Sequence, residues 1–226
     1  MAERTEADNR LKQAIIKSEK SGISDEVRRC VESGASPDAD WGCESSPLSW
    51  SVMFGMYDMV RFLCSHGFSI DPPGPHDPPI FTVCGSGDIK MIRLLLDLGA
   101  DPNRISSIGM TPLHCAVRGF FTEETVRILL EYGADPDIQD HRKMSPLHAA
   151  AEKGEIGVMK ILIEAGADFN IRDKKDRTPL DILKADHVVK WKENGEELTE
   201  FAAAASRIRE EDFAAKGEAT DYEFNI

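Results

Sequence analysis

The chain has 226 residues, 41% hydrophobic and 30% charged, with a formal net charge of −13 and a pI near 4.9. So acidic a chain is not built to wrap nucleic acid or to lie on an anionic membrane, and no apolar run approaches the ~18 residues of a membrane span. Five cysteines without a pairing pattern suit a reducing, cytoplasmic compartment.

In chain order, residues 8–38 predict a helix pair, with Leu11, Ala14 and Ile15 on one helix and Val27, Cys30 and Val31 on the next. The pair ends in Gly34-Ala35-Ser36-Pro37-Asp38, and that punctuation returns at Gly67, Gly99, Gly133 and Gly166, in steps of 33, 32, 34 and 33 residues. A second landmark keeps the same beat: Ser46-Pro47-Leu48, Pro78-Pro79-Ile80, Thr111-Pro112-Leu113-His114, Ser145-Pro146-Leu147-His148 and Thr178-Pro179-Leu180. A fixed period near 33 means a stack of like units rather than one globular core. Within residues 145–170, Ser145 and Pro146 open a helix with Leu147, Ala150 and Ala151 on one face. Gly154 breaks it, Val158, Met159, Ile161 and Leu162 mark a second helix, and Gly166 ends that one in the left-handed conformation.

These landmarks together resemble the ankyrin repeat over roughly residues 24–183. The resemblance implies an all-α solenoid of helix–loop–helix units with projecting hairpin fingers, binding proteins through finger tips and a concave face. About six units are expected within a domain spanning 1–190: an N-terminal cap at 8–38, repeats at 41–73, 74–105, 106–139 and 140–172, and a C-terminal cap from 173. Residues 191–226 are expected to hold one further helix, Glu196–Lys216, and an acidic tail.

Two repeats are irregular. In the second, Pro78 replaces the capping hydroxyl and Gly85 sits inside the first helix, each costing ~1 kcal/mol, so this repeat is expected to be the soft one. In the third, Thr122 is placed to cap the second helix, with Phe121 and Val126 as a hydrophobic staple.

No motif supports catalysis, a cofactor or a metal. The resemblance gives His114 and His148 a loop-ordering role. Cys64, His66, His76 and Cys84 match no zinc spacing, and Cys30, Cys43 and Cys115 lack a histidine partner. Large apolar residues at finger and first-helix surface positions instead suggest a contact site: Trp41, Trp50, Met53, Phe54, Tyr57, Ile108, Met110 and Met144. Arg118 joins them, and a basic group follows in the last two fingers: Arg142, Lys143, Lys174, Lys175 and Arg177. The charge is uneven, with residues 1–140 at net −9, 141–192 at +3 and 193–226 at −7.

The expected function is a non-catalytic protein-binding module acting as adaptor, inhibitor or assembly factor, monomeric alone, with a protein partner, no nucleic acid and no membrane insertion. The alternatives are an accessory or targeting subunit of an enzyme complex, or an enzyme with no recognisable motif. Asn103 and Asn170 occupy the position that, by the resemblance, asparaginyl hydroxylases modify.

Overall fold

The computed structural model describes residues 6–18, 22–36, 46–71, 77–119 and 122–186. Among them are eleven helices and no strand. The cap contributes α1 (Glu6–Lys17) and α2 (Asp25–Glu32), and the four repeats contribute α3 (Pro47–Met53) with α4 (Tyr57–Ser65), α5 (Pro79–Ser86) with α6 (Ile89–Asp97), α7 (Pro112–Arg118) with α8 (Thr122–Glu131), and α9 (Pro146–Lys153) with α10 (Ile156–Glu164). A last first-helix, α11 (Pro179–Asp186), packs on α9. The helix expected over Glu196–Lys216 and the acidic tail lie outside the described residues, as do Trp41, Cys43, His76 and Phe121.

First helices stack in a row, α3 on α5, α5 on α7, α7 on α9 and α9 on α11, while α6, α8 and α10 form a second row behind. Each unit packs its apolar side chains against its neighbours, so the core runs continuously through the stack from Leu11 and Ile15 to Ile182 and Leu183. In α9 three consecutive alanines, Ala149, Ala150 and Ala151, are buried, and their small side chains suit a first helix packed between α7 and α11.

The punctuation has a physical cause at both ends of the unit. Ser46 and Thr111 are extended N-caps accepting from the amides of Ser49 and His114, and proline follows where no amide hydrogen is needed. At the other end Gly99 and Gly166 adopt φ of 94° and 101°, which lets two successive amides turn back onto the helix: Gly99 to Leu96 and Ala100 to Leu95, then Gly166 to Ile163 and Ala167 to Leu162. The alanine after the glycine is then buried in the stack.

Repeats are also tied along their loops. The Asp101 amide donates to Asp71 (2.7 Å), the Asp135 amide to Asn103 (2.7 Å) and the Asp168 amide to Asp137 (2.7 Å), each reaching one repeat back. The Asn103 side chain is used twice, since its Nδ2 also donates to the Gly133 carbonyl at 3.0 Å.

The implied hairpin fingers are tighter than hairpins. Each closes on two backbone bonds, the Ser106 amide to Met110 (2.9 Å) with Gly109 back to Ser106 (2.9 Å), Asp140 to Met144 (2.9 Å) with Lys143 back to Asp140 (2.8 Å), and Asp173 to Arg177 (3.0 Å) with Asp176 back to Asp173 (3.0 Å), too short a ladder to be a strand pair. In the irregular second repeat, α5 starts after Pro78 with no side-chain cap, as its sequence led us to expect.

Two substitutions should stabilise the stack. A Cβ at Gly85 would meet nothing within 4 Å, so Gly85→Ala removes a mid-helix glycine without a clash. Thr125 is fully buried and its hydroxyl has no hydrogen-bond partner, so Thr125→Val removes an unsatisfied group at similar shape. Each should add about 1 kcal/mol, read as a rise in the urea midpoint at unchanged m-value.

Candidate protein-interaction surface

Among the described residues the large exposed apolar side chains fall mainly in two places. On the first repeat, Met53 is 55% and Phe54 44% exposed, and on the finger before α7, Ile105 and Ile108 are 57% and 58% exposed. The first place is built by the end of α3. Phe54 is its C-cap, its amide donating to Trp50, and Gly55 at φ 65° lets the chain turn away towards α4. Phe54 therefore sits at a rim, stacked on Trp50 with ring centroids 4.9 Å apart. Trp50 is half-buried against the core, so it anchors the pair while Phe54 and Met53 face out. In phase with Met53, α5, α7 and α9 carry Gly85, Arg118 and Glu152, and α11 carries the small Ala185.

Three sequence-based assignments are corrected. Met110 and Met144 are not finger contacts, because they are only 9% and 3% exposed. Gly109 at φ 80° turns the chain between Ile108 and Met110, and the Met110 amide donates to Ser106 Oγ at 3.0 Å, which draws the residue just before the cap inward. Tyr57 is half-buried, and its hydroxyl donates to both oxygens of Asp88 at 2.9 and 2.8 Å, tying the first repeat to the second. Asp88 in turn caps α6 through the Met91 amide at 3.1 Å, so Tyr57 ties the first repeat to the second helix of the next rather than serving the surface.

The charged candidates divide. Arg118 and Arg142 share Glu152, at 3.6 and 4.0 Å, and Arg177 is paired with Asp173 at 2.8 Å. Lys143, Lys174 and Lys175 are exposed, with no carboxylate within ion-pair reach among the described residues. Asp140 and Asp173 lie in sequence among these cations. They are buried scaffolds: Asp140 accepts the amides of Arg142 and Met144, and Asp173 those of Lys175 and Arg177. Although burial alone would raise both, those amides and the arginines hold the two carboxyls below their ordinary range. The signal was available, since an acid stands at the same place in both fingers, with Ser106 as its counterpart in the finger before.

Among the described residues the titratable groups serve structure. His114 and His148 are fully buried; each accepts the amide of its own cap residue at Nδ1 and donates from Nε2 to the next finger, at Met144 (2.9 Å) and Arg177 (3.1 Å). Burial lowers both pKa values, so the rings stay neutral. Burial also raises the thiols of Cys30, Cys64, Cys84 and Cys115, the last to about 11, leaving them poor nucleophiles. Among the described residues no group of three His, Cys, Asp or Glu could hold a metal, and no helix is long and apolar enough to cross a membrane.

A stack of helix pairs carrying turn-like fingers and an exposed apolar rim is a protein-interaction scaffold. A family model for ankyrin repeats in three copies matches residues 71–140 and 120–187, together more than half of the chain, and the chain belongs to the ankyrin-repeat family. Over 107 residues it is 31% identical to palmitoyltransferase ZDHHC13 of Homo sapiens, covering 45% of this chain and 17% of that protein. Over 105 residues it is 28% identical to palmitoyltransferase ZDHHC17 of Danio rerio, covering 44% and 16%. Over 77 residues it is 33% identical to the protein named probable 26S proteasome regulatory subunit p28 of Saccharomyces cerevisiae, covering 31% and 34%. The chain thus spans about a sixth of the palmitoyltransferases it matches.

Proposed function

We propose that this chain is a non-catalytic binding protein, an adaptor, inhibitor or assembly factor, whose partner seats on the apolar rim formed by Met53 and Phe54 over Trp50. Trp41, outside the described residues, and Ile108 on its finger belong to the same proposal, in a repeat domain reaching to about residue 190. The observation that carries it is the exposure of Met53 and Phe54 at two positions that later first helices fill with small or polar residues, Gly85, Arg118, Glu152 and Ala185 for the first and Ser86, Gly119, Lys153 and Asp186 for the second. Aromatic and methionine side chains left in water at a rigid rim are the usual anchors of an interface. A stack already ordered also loses little entropy on binding. The free thiols among the described residues favour a reducing, cytoplasmic setting. A second reading, an accessory part of an enzyme assembly, draws support from the similarity to a proteasome regulatory subunit and to palmitoyltransferases.

The test is affinity capture with the wild-type chain and a Met53→Ala/Phe54→Ala variant side by side, read by quantitative mass spectrometry. A protein retained by the wild type should fall at least about tenfold with the variant, at unchanged melting temperature. An identical set of captured proteins would remove the rim from the reading, and a copurifying nucleotide or metal would favour an enzyme.

A further inference from the structure

We propose that the fingers before α9 and α11 form one basic docking surface for an acidic polypeptide segment, and that residues 193–226 of this same chain occupy it. The surface is made by a division of labour inside each finger. Two carboxylates point inward: Asp140 and Asp173 are 7% exposed, and their oxygens accept from backbone amides of their own turns at 2.7 to 3.0 Å and from Arg142 Nε and the Arg177 guanidinium, while the exposed Asp176 is paired with Arg172 at 3.4 Å. The lysines point outward. Lys143 sits at the turn at φ 57°, and Lys174 and Lys175 at the tip of the next finger.

The two tips are fixed to one another. The Lys174 amide donates to the Arg142 carbonyl at 3.1 Å, and Gln139 Nε2 bridges the carbonyls of Lys143 (2.5 Å) and Arg172 (3.1 Å). The cations are therefore held in register before any ligand arrives, which reduces the ordering cost of binding.

The occupant is argued from charge and tether. Residues 141–192 are the net-positive stretch of an acidic chain, and residues 193–226 carry 10 acidic against 3 basic side chains. They follow α11, which packs beside the finger-bearing α9, after a short connection. So short a link gives an effective concentration of about millimolar, at which individually weak exposed ion pairs suffice. Occupation would shield the basic fingers from other acidic ligands.

The test uses the full chain, as an equal mixture of 15N-labelled and unlabelled protein, coupled with a zero-length carbodiimide that joins lysines to carboxylates in contact. At low salt Lys143, Lys174 and Lys175 should link to carboxylates of residues 193–226 within one chain. The yield should be at least about tenfold above that of the exposed lysines Lys17 and Lys90, and should fall about tenfold in 1 M NaCl, where charge is screened within ~3 Å. Equal yields at Lys17 and Lys90, links into residues 1–140, links mainly between labelled and unlabelled copies, or yields indifferent to salt would each overturn the proposal.

Discussion

His114→Ala should cost about 3 kcal/mol, although His114 touches no partner surface. The ring fills a fully buried site and joins two repeats, accepting from the Thr111 amide at 3.2 Å and donating to the Met144 carbonyl at 2.9 Å. Alanine leaves both groups buried and unpaired and opens a cavity, and either effect alone is worth 1 kcal/mol or more. The same geometry sets an acid limit. Because burial lowers the folded pKa of His114 and His148, the unfolded chain takes up protons first. Stability should be flat above the ordinary histidine value of about 6.5 and fall below it by up to ~1.4 kcal/mol per pH unit for each ring, until the folded pKa is reached. Asp140 and Asp173, with folded pKa values lowered, should add a separate loss only below about pH 4. Urea titrations from pH 8 to 4 check this. A stability independent of pH between 7 and 5 would mean that the histidines are not held neutral.

Gly109→Ala should cost about 2 to 4 kcal/mol, and the reason is the neighbouring finger more than the backbone. Gly109 has φ 80°, but Lys143 and Asp176 occupy the matching turn positions at 57° and 60°, so the turn itself admits a side chain for about 1 kcal/mol. What forbids one at Gly109 is His141: an added Cβ would lie 2.7 Å from its backbone nitrogen and 2.5 Å from its ring. The control is Gly133, also left-handed at φ 84° but with nothing within 4 Å of an added Cβ. Gly133→Ala should therefore cost only the backbone strain, about 1 kcal/mol. Similar losses at the two positions in denaturant unfolding would show that the fingers separate without penalty.

The stack was legible because its signals are local and repeated. A glycine after an apolar stripe recurs five times in phase and a hydroxyl before proline four times, each with one physical meaning, which left little freedom. The N-terminal helices on Leu11 and Val27 and the buried faces of α9 and α10 followed from spacing alone. The surface was harder to read. Whether Met110 points out or in depends on a turn two residues long, and no period reveals it. Tyr57 read as an exposed aromatic because its partner, Asp88, lies 31 residues away, almost one repeat, and only the stacking of units brings them together. The extent of the fingers also escaped. The family resemblance implies hairpins, whereas each finger here is one tight turn closed by two backbone bonds, since its tip is spent on an aspartate-centred or serine-centred turn. The exposure of Met53 and Phe54 was legible because nothing apolar is required where they stand.

The most direct test of the account is a calorimetric titration of the captured partner with the wild-type chain and with Phe54→Ala, each checked by thermal melting. Phe54 is 44% exposed, so its truncation should leave the melting temperature within a degree or two. If the rim is the interface, the same truncation should weaken binding at least about 30-fold, the ~2 kcal/mol of an anchor residue. Unchanged affinity, or an affinity loss that merely tracks a fall in melting temperature, would contradict the account.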